Sequence, residues 1–141
     1  MEINPYLSFR GDCEAAFRFY ERCLGGELGP IFHYGGTPLA RDVPADWSDK
    51  VMHGSLRLGG QVLMGGDVAP DRYEVPKGFS LSIQIKSAAD AERIFHELAR
   101  DGDVVVPLEK TFWAERFGFV IDRFGIPWMI NCDGANSPDA G

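Results

Sequence analysis

The chain has 141 residues, of which 45% are hydrophobic and 25% are charged, as expected for one globular domain with a sizeable core. Its formal net charge of −7 and scattered Lys and Arg argue against a nucleic-acid surface, and no apolar run is long enough to span a membrane. The first residues lack a signal-peptide pattern, and the three cysteines have no metal-ligand spacing. We therefore expect a cytoplasmic protein with reduced thiols that binds neither nucleic acid nor membrane.

The chain begins with a predicted strand, a helix and a second strand. Residues 3–9 form the strand-like run, and Asp12 is placed to cap a helix that continues to Leu24. Gly25-Gly26 supplies the stop that glycine favours at helix ends. Residues 27–34 predict the second strand.

A long polar loop and a hairpin follow. The loop at 35–49 exceeds the length of an ordinary connector, which indicates a lid or an interface loop, and its role stays open. Residues 51–58 and 61–65 predict two strands joined by a turn at Gly59-Gly60. Residues 67–77 then link the two halves of the chain.

The second half repeats the first. A strand at 79–86 leads to Ser87, which opens a helix over 88–101 that Gly102 closes. The remaining predicted strands cover 104–108, 116–121 and 126–131. The repeat predicts an α+β fold of two βαβββ modules that form a curved, mostly antiparallel sheet with helices on its outer face. One domain at 1–133 would contain module 1 at about 1–67 and module 2 at about 78–133, with a flexible tail at 134–141.

Strand alternation assigns side chains to the two faces of this sheet. We expect the helix-packed face to carry Leu81, Ile83, Ile85, Trp128 and Ile130. The opposite face would carry Pro5, Leu7, Phe9, His53, Ser55, Arg57, Met64, Ser80, Ser82, Gln84, Met129 and Asn131. Its mixture of apolar and neutral polar groups is typical of a ligand pocket in the cupped surface between two such modules.

Several motifs together resemble a known family. They are Asn4-Pro5-Tyr6-Leu7, the helix from Glu14-Ala15-Ala16-Phe17 to Phe19-Tyr20, Asp49-Lys50-Val51-Met52-His53, Val62-Leu63-Met64-Gly65 and Asp122-Arg123-Phe124-Gly125-Ile126-Pro127-Trp128. The sequence resembles the PhnB-like branch of the vicinal oxygen chelate superfamily, which contains glyoxalases, bleomycin-resistance proteins and extradiol dioxygenases. The resemblance covers nearly the whole chain and implies the fold described above and a homodimer.

The resemblance also implies where a metal would bind. Enzymes of the superfamily hold one divalent metal with four His, Gln or Glu side chains, two in the first strands of the modules and two in the last. The repeat matches these positions to Pro5, Ser80, Met64 and Met129. Proline has no side-chain donor, serine is a poor ligand, and thioethers suit soft ions such as Cu(I). We therefore predict neither the metal site nor any cofactor.

Three functions remain open. The leading prediction is a small-molecule-binding protein without metal, whose ligand-binding residues are Phe9, His53, Met64, Ser80, Gln84, Trp113 and Met129. The alternative is a metal-dependent lyase, isomerase or dioxygenase with a relocated site that uses His53 and either His33 or Glu115. In that case His53 is the candidate catalytic residue, although a structural histidine is the simpler interpretation. A third possibility is a structural or regulatory dimer without a ligand.

Other residues have competing interpretations. Trp113 is either a pocket wall or part of a subunit interface, and Arg116 is either an anion-binding group or the partner of Glu115. Asp67 and Asp122 are interpreted as turn formers. The glycine pairs follow helices or lie in or beside hairpins, so they do not form the phosphate-cradling turn that adenosyl cofactors use, and methyltransferase activity is not expected.

Overall fold

The computed structural model of this chain describes residues 1–133, so the tail predicted at 134–141 lies outside the described residues. The chain divides into two compact units, of which the first is Met1–Glu74 and the second begins at Val75. Within residues 1–133, no helix is both long and apolar enough to cross a membrane.

The first unit packs one helix on a mixed sheet. Its elements are β1 (Tyr6–Phe9), α1 (Cys13–Leu24), β2 (Glu27–Leu28), β3 (Phe32–His33), β4 (Val51–Leu58) and β5 (Gln61–Asp67). The strand order is β1-β5-β4-β2, and β3 also pairs with β4. Strands β1 and β5 are parallel, whereas the other pairs are antiparallel. Two short 3-10 helices, Pro38–Asp42 and Ala45–Trp47, lie in the long loop before β4.

The second unit repeats this plan. Its elements are β6 (Leu81–Ile85), α2 (Ala88–Ala99), β7 (Asp103–Glu109), β8 (Arg116–Ile121) and β9 (Pro127–Cys132). The strand order is β6-β9-β8-β7, with β6 and β9 parallel and the remaining pairs antiparallel. The predicted βαβββ order and the mostly antiparallel pairing are therefore confirmed.

The second strand of the first module differs from its prediction because it is split into β2 and β3. Gly29 lies in the gap, where an added Cβ atom would come 2.5 Å from the Ser55 hydroxyl. Pro30 follows and has no N–H to donate to a strand ladder. Gly29 N–H still donates to the Ser55 carbonyl oxygen at 2.9 Å, so the pairing with β4 is interrupted at Pro30, which has no donor.

Each helix buries an aromatic side chain against a glycine of the sheet. Phe17 of α1 lies 3.7 Å from the Cβ position of Gly54 in β4, and Phe95 of α2 lies 2.7 Å from that of Gly118 in β8. In the first unit the core continues through Phe9, which is 1% exposed and whose ring centroid lies 6.0 Å from that of Phe17. The prediction that Leu7 and Phe9 face away from the helix is therefore wrong, because both are core residues on the helix side.

The N-terminus of α1 is capped by a residue that is distant in sequence. The side chain of Asp12 makes no capping hydrogen bond. Instead, Asp67 Oδ1 accepts from the backbone N–H groups of Gly11 and Cys13, at 2.9 and 3.0 Å, and its Oδ2 accepts from Val51 N–H at 2.9 Å. Asp67 is thus a buried anchor at the end of β5, and its interpretation as a turn former is wrong.

Helix α2 begins as predicted and ends earlier than predicted. Ser87 Oγ accepts from Asp90 N–H at 3.2 Å, as an N-cap residue should. The helix ends at Ala99, and Asp101 rather than Gly102 takes the positive φ, at 59°. Gly102 is needed for space, since a Cβ atom there would lie 2.4 Å from the Ile121 carbonyl oxygen.

Candidate functional site

In the first unit, the sheet face opposite α1 carries a tyrosine and a histidine in contact. We call this surface, formed by Tyr6, His53, Ser55 and Met64, the far face of the first unit. The ring centroids of Tyr6 and His53 lie 5.9 Å apart, and the Tyr6 hydroxyl donates to the Met52 carbonyl oxygen at 3.4 Å. The tyrosine lies across Gly66, where a Cβ atom would meet its hydroxyl at 2.9 Å. The missing side chain therefore makes room for the Tyr6–His53 contact.

The strand register identifies the neighbour of Met64. Tyr6 pairs with Met64 across β1 and β5, and Ser55 pairs with Met64 across β4 and β5. The adjacent pair, Leu7 and Gly65, lies on the helix side, because the Gly65 Cβ position is 3.0 Å from Phe17 Cζ. The first-strand residue beside Met64 on the far face is therefore Tyr6, and the assignment of Pro5 to that position is wrong.

The candidate histidines are on different sides of the first unit. His33 Nε2 lies 3.1 Å from Glu14 Oε1, on the side of α1, and this contact and Arg18 lower the Glu14 pKa. His53 instead contacts Tyr6 on the far face. A metal site that combines His33 with His53 is therefore not formed. The alternative that pairs His53 with Glu115, a residue of the second unit, stays a prediction. Among residues 1–133, no three or more His, Cys, Asp or Glu side chains group in a way that could hold a metal ion.

In the second unit, the face opposite α2 carries a line of neutral polar groups. We call this surface, formed by Ser82, Gln84, Phe117, Phe119, Met129 and Asn131, the far face of the second unit. Gln84 Nε2 donates to Ser82 Oγ at 2.9 Å, and Gln84 Oε1 accepts from Asn131 Nδ2 at 2.9 Å. Asn131 Nδ2 also donates to Asp133 Oδ1 at 2.8 Å. The amides are thereby held in one orientation, and Gln84 and Ser82 remain exposed.

Register again defines the partner of the methionine. Ser82 pairs with Met129 across β6 and β9, and Phe119 pairs with Met129 across β8 and β9. Ser80 precedes β6 and is half-buried. Ser82 therefore replaces Ser80 as the first-strand residue beside Met129. The predicted helix-side residues Trp128 and Ile130 are indeed buried.

An aromatic cluster borders the far face of the second unit. The Trp113 ring centroid lies 4.7 Å from that of Phe112 and 5.4 Å from that of Phe117. The side chain of Thr111 accepts from the N–H groups of Trp113 and Ala114, at 3.3 and 3.0 Å, and so fixes the loop. Trp113 is 50% exposed and Phe112 is 96% exposed, so both offer aromatic surface to solvent.

Arg116 is engaged elsewhere. Its Nε lies 3.1 Å from Glu92 Oε1 on α2, and its Nη1 donates to the Glu115 carbonyl oxygen at 2.8 Å. It pairs with Cys132 in register, which places it on the helix side. Within residues 1–133, the Arg116 side chain forms its ion pair with Glu92 and none with the Glu115 side chain.

The four positions that correspond to metal ligands do not form a ligand set for a divalent metal. Two first-strand and two last-strand side chains occupy them: Tyr6, Ser82, Met64 and Met129. Burial raises the pKa of the Tyr6 phenol, which keeps it protonated and a weak ligand. Serine and methionine supply no hard anionic or imidazole donor.

Sequence reasoning missed Tyr6 and Phe117 on the far faces. It placed Ser82 and Asn131 on the correct face, although it did not name them among the ligand-binding residues. The signal for Tyr6 was present in the chain, because Leu7 and Phe9 are the apolar alternate residues of β1 and leave Tyr6 and Ser8 for the other face. Of the predicted residues, His53 and Met64 lie on the far face of the first unit, and Gln84 and Met129 lie on that of the second. Phe9 belongs to the core.

Comparison with known proteins agrees with this architecture. Residues 2–130 match the model of the Glyoxalase/Bleomycin resistance protein/Dioxygenase superfamily. The chain is 34% identical to Protein YjdN of Escherichia coli (strain K12), over 93% of this chain and 95% of that protein. The structure of protein PA1353 from Pseudomonas aeruginosa is 46% identical and superposes with a TM-score of 0.87, covering 95% of this chain and 98% of that one.

A further structure carries a functional title. The putative 3-demethylubiquinone-9 3-methyltransferase, PhnB protein, from Bacillus cereus is 25% identical, with a TM-score of 0.80 over 94% of this chain and 99% of that chain. Together with the two βαβββ units, these matches show that the chain belongs to the Glyoxalase/Bleomycin resistance protein/Dioxygenase superfamily, on its PhnB-like branch.

Proposed function

We propose that this chain is a small-molecule-binding protein that works without the metal of its superfamily. The observation that carries the proposal is the chemistry of the four register positions, where a protonated phenol, a hydroxyl and two thioethers stand in place of imidazole and carboxylate groups. Such groups select ligands by shape and a few neutral hydrogen bonds.

The far face of the second unit supports this reading. Gln84 and Asn131 present oriented amides beside Met129, a flexible side chain that adapts to ligand shape. Trp113 and Phe117 add aromatic surface at its border. A neutral, partly aromatic or unsaturated molecule with hydrogen-bonding groups fits this combination better than a strongly charged one.

Metal analysis tests the first half of the proposal. Protein purified without chelator should contain less than one divalent ion per chain, and His53→Ala should not change that content. His96→Ala is the matched control, because His96 lies exposed on α2 and contacts Phe95. A stoichiometric divalent ion that is lost in His53→Ala and kept in His96→Ala would support the metal-dependent alternative and overturn the proposal.

Ligand binding tests the second half. In a thermal-shift screen of neutral metabolites, a bound compound should raise the unfolding temperature by mass action. The shift should disappear in Gln84→Ala and persist in Gln61→Ala, since Gln61 is an exposed residue next to the β4–β5 turn. A panel without any shift would contradict the proposal and favour a structural or regulatory role.

We also propose that the chain forms a homodimer. Strand β7 is at the edge of its sheet and carries three exposed valines, Val104, Val105 and Val106. Proteins usually cover such an apolar edge strand, for example in a subunit interface. Light scattering after size-exclusion chromatography should give twice the mass of the 15.6 kDa chain. A monomer at micromolar concentration would refute this part alone.

No methyltransferase activity is proposed. Gly25 and Gly26 end α1, Gly59 turns β4 into β5, and Gly65-Gly66 lie inside β5. All of these glycines therefore serve turns or close packing in the chain itself.

A further inference from the structure

The first unit contains a small cavity at the long loop before β4, apart from its far face. The cavity has a volume of about 150 Å³ and is lined by Tyr34, Leu39, Asp42, Val43, Val68, Ala69 and Arg72. The cavity is partly open to solvent, since Leu39, Asp42 and Arg72 of its lining are exposed, and its volume suits a small molecule. Its walls come from the 3-10 helix Pro38–Asp42 and from the segment that follows β5.

The loop that forms one wall is held at both ends. Tyr34 N–H donates to the Lys50 carbonyl oxygen at 3.0 Å, and Gly35 N–H donates to the Ser48 carbonyl oxygen at 2.9 Å. Trp47 is buried and its ring centroid lies 6.5 Å from that of Tyr34. These contacts make the loop a fixed wall.

The cavity combines apolar walls with two opposite charges. Leu39, Val43 and Val68 supply the apolar surface, whereas Asp42 and Arg72 supply a carboxylate and a guanidinium. Within residues 1–133, neither charged group has an ion-pair partner within 4.0 Å. Both groups are therefore available to charges on a bound molecule.

Tyr34 lies close enough to both Asp42 and Arg72 for each charge to influence its phenol. Burial raises the pKa of its phenol, to which the carboxylates of Asp67 and Asp42 add, while the nearby Arg72 acts in the opposite direction. The hydroxyl donates to the Asp67 carbonyl oxygen at 2.6 Å, so its proton is committed and its oxygen retains a lone pair that can accept. The phenol oxygen and the Asp42 carboxylate are thus both acceptors for an ammonium group.

We propose that this cavity binds a small zwitterion with an apolar body, of the class of free aliphatic α-amino acids. Arg72 receives the carboxylate, for which its planar guanidinium is suited. Asp42 and the Tyr34 oxygen receive the ammonium group, and Leu39, Val43, Val68 and Ala69 enclose the side chain. The proposal concerns a site separate from the far faces and stands whether or not a ligand binds there.

Titration with L-leucine and L-valine, followed by amide chemical shifts of the full-length protein, tests the proposal. We expect saturable shifts at Val68 and Ala69 with a dissociation constant of about 1 mM or below. Asp42→Asn and Arg72→Gln should each weaken binding about tenfold or more, since each removes a charge-assisted hydrogen bond. Asp71→Asn and Arg10→Gln are controls, because both residues are exposed and outside the cavity lining.

Ligand analogues separate the two charges. L-Leucinamide lacks the carboxylate, so its weaker binding should be insensitive to Arg72→Gln. 4-Methylpentanoate lacks the ammonium group and should be insensitive to Asp42→Asn. The proposal would be overturned by the absence of saturable shifts at about 10 mM amino acid, or by binding that the cavity variants and the control variants alter equally. Shifts confined to the far faces would also overturn it.

Discussion

Asp122 is a buried carboxylate that accepts three hydrogen bonds, so its replacement should have a clear effect on stability. Its side chain is 3% exposed, and Oδ1 accepts from the N–H groups of Phe124 and Ile126 at 2.8 and 3.0 Å. Oδ2 accepts from Trp128 Nε1 at 2.8 Å. The residue therefore forms the predicted turn and also holds the buried indole of the last strand.

Replacement by asparagine leaves one acceptor oxygen where the carboxylate has two. If the oxygen stays with the two backbone donors, the new NH₂ group faces the indole N–H, and two donors oppose each other. The variant loses one hydrogen bond to a charged group, which contributes about 1.5–3 kcal/mol, and leaves a buried donor unsatisfied at a cost of about 1–3 kcal/mol. We expect Asp122→Asn to lower the free energy of unfolding by about 3 kcal/mol.

Urea denaturation followed by circular dichroism measures this change. Asp103→Asn is the control, since Asp103 is exposed at the start of β7 and should change stability by less than about 0.5 kcal/mol. In a Trp128→Phe background the indole donor is gone, so Asp122→Asn should cost about 1–3 kcal/mol less than in the wild type. An equal loss in both backgrounds would falsify the role assigned to the indole bond.

Three further predictions follow from buried groups. Gly65→Ala should destabilise the chain by about 1–3 kcal/mol, because its Cβ atom would lie 2.6 Å from the Leu7 carbonyl oxygen; Gly60→Ala has nothing within 4 Å and should be nearly neutral in the same denaturation assay. The three cysteines are buried, and burial raises the Cys13 pKa, so Ellman's reagent should label no thiol until the protein unfolds, and fast native labelling would contradict the structure. Burial also raises the Asp67 pKa, so the folded state binds this proton more tightly than the unfolded state. Stability should therefore fall as the pH rises from about 4 through the raised pKa. Asp67→Asn should flatten that part of the stability–pH profile, and an unchanged slope in the variant would contradict the assignment to Asp67.

The elements were predictable where turn chemistry marks their ends. Gly59 has a φ of 63° in the turn between β4 and β5, and β4 has the predicted bounds Val51–Leu58. Ser87 caps α2 as its hydroxyl and position indicate. These signals act over a few residues, so a single sequence contains them in full. Capping of α1 by Asp67 depends on a contact between distant segments, which local sequence does not reveal.

The prediction of which first-strand residues face the site was wrong, because the connection between the first strand and the helix differs in length between the two copies. Three residues separate Phe9 from Cys13, whereas two separate Ile85 from Ala88. The copies are therefore offset by 75 in the helices (88 − 13) and by 76 in the first strands (82 − 6). Carrying the helix offset into the strand moves each side chain to the opposite face. This error placed Phe9 in the predicted site and excluded Tyr6.

With the offset corrected, the two copies agree on the helix side and differ on the far face. Both place a glycine under a helix aromatic, Gly54 under Phe17 and Gly118 under Phe95. At Gly118 an added methyl group would lie 2.7 Å from Phe95 and would clash, whereas at Gly54 it would meet Phe17 at an ordinary contact distance of 3.7 Å. The far faces differ: the first unit has the Tyr6–His53 ring contact, whereas the second has hydrogen bonds from Gln84 to Ser82 and Asn131. Packing against the helices constrains the helix sides of both units, whereas the far faces differ in shape and polarity, as recognition of a small molecule by shape and neutral hydrogen bonds allows.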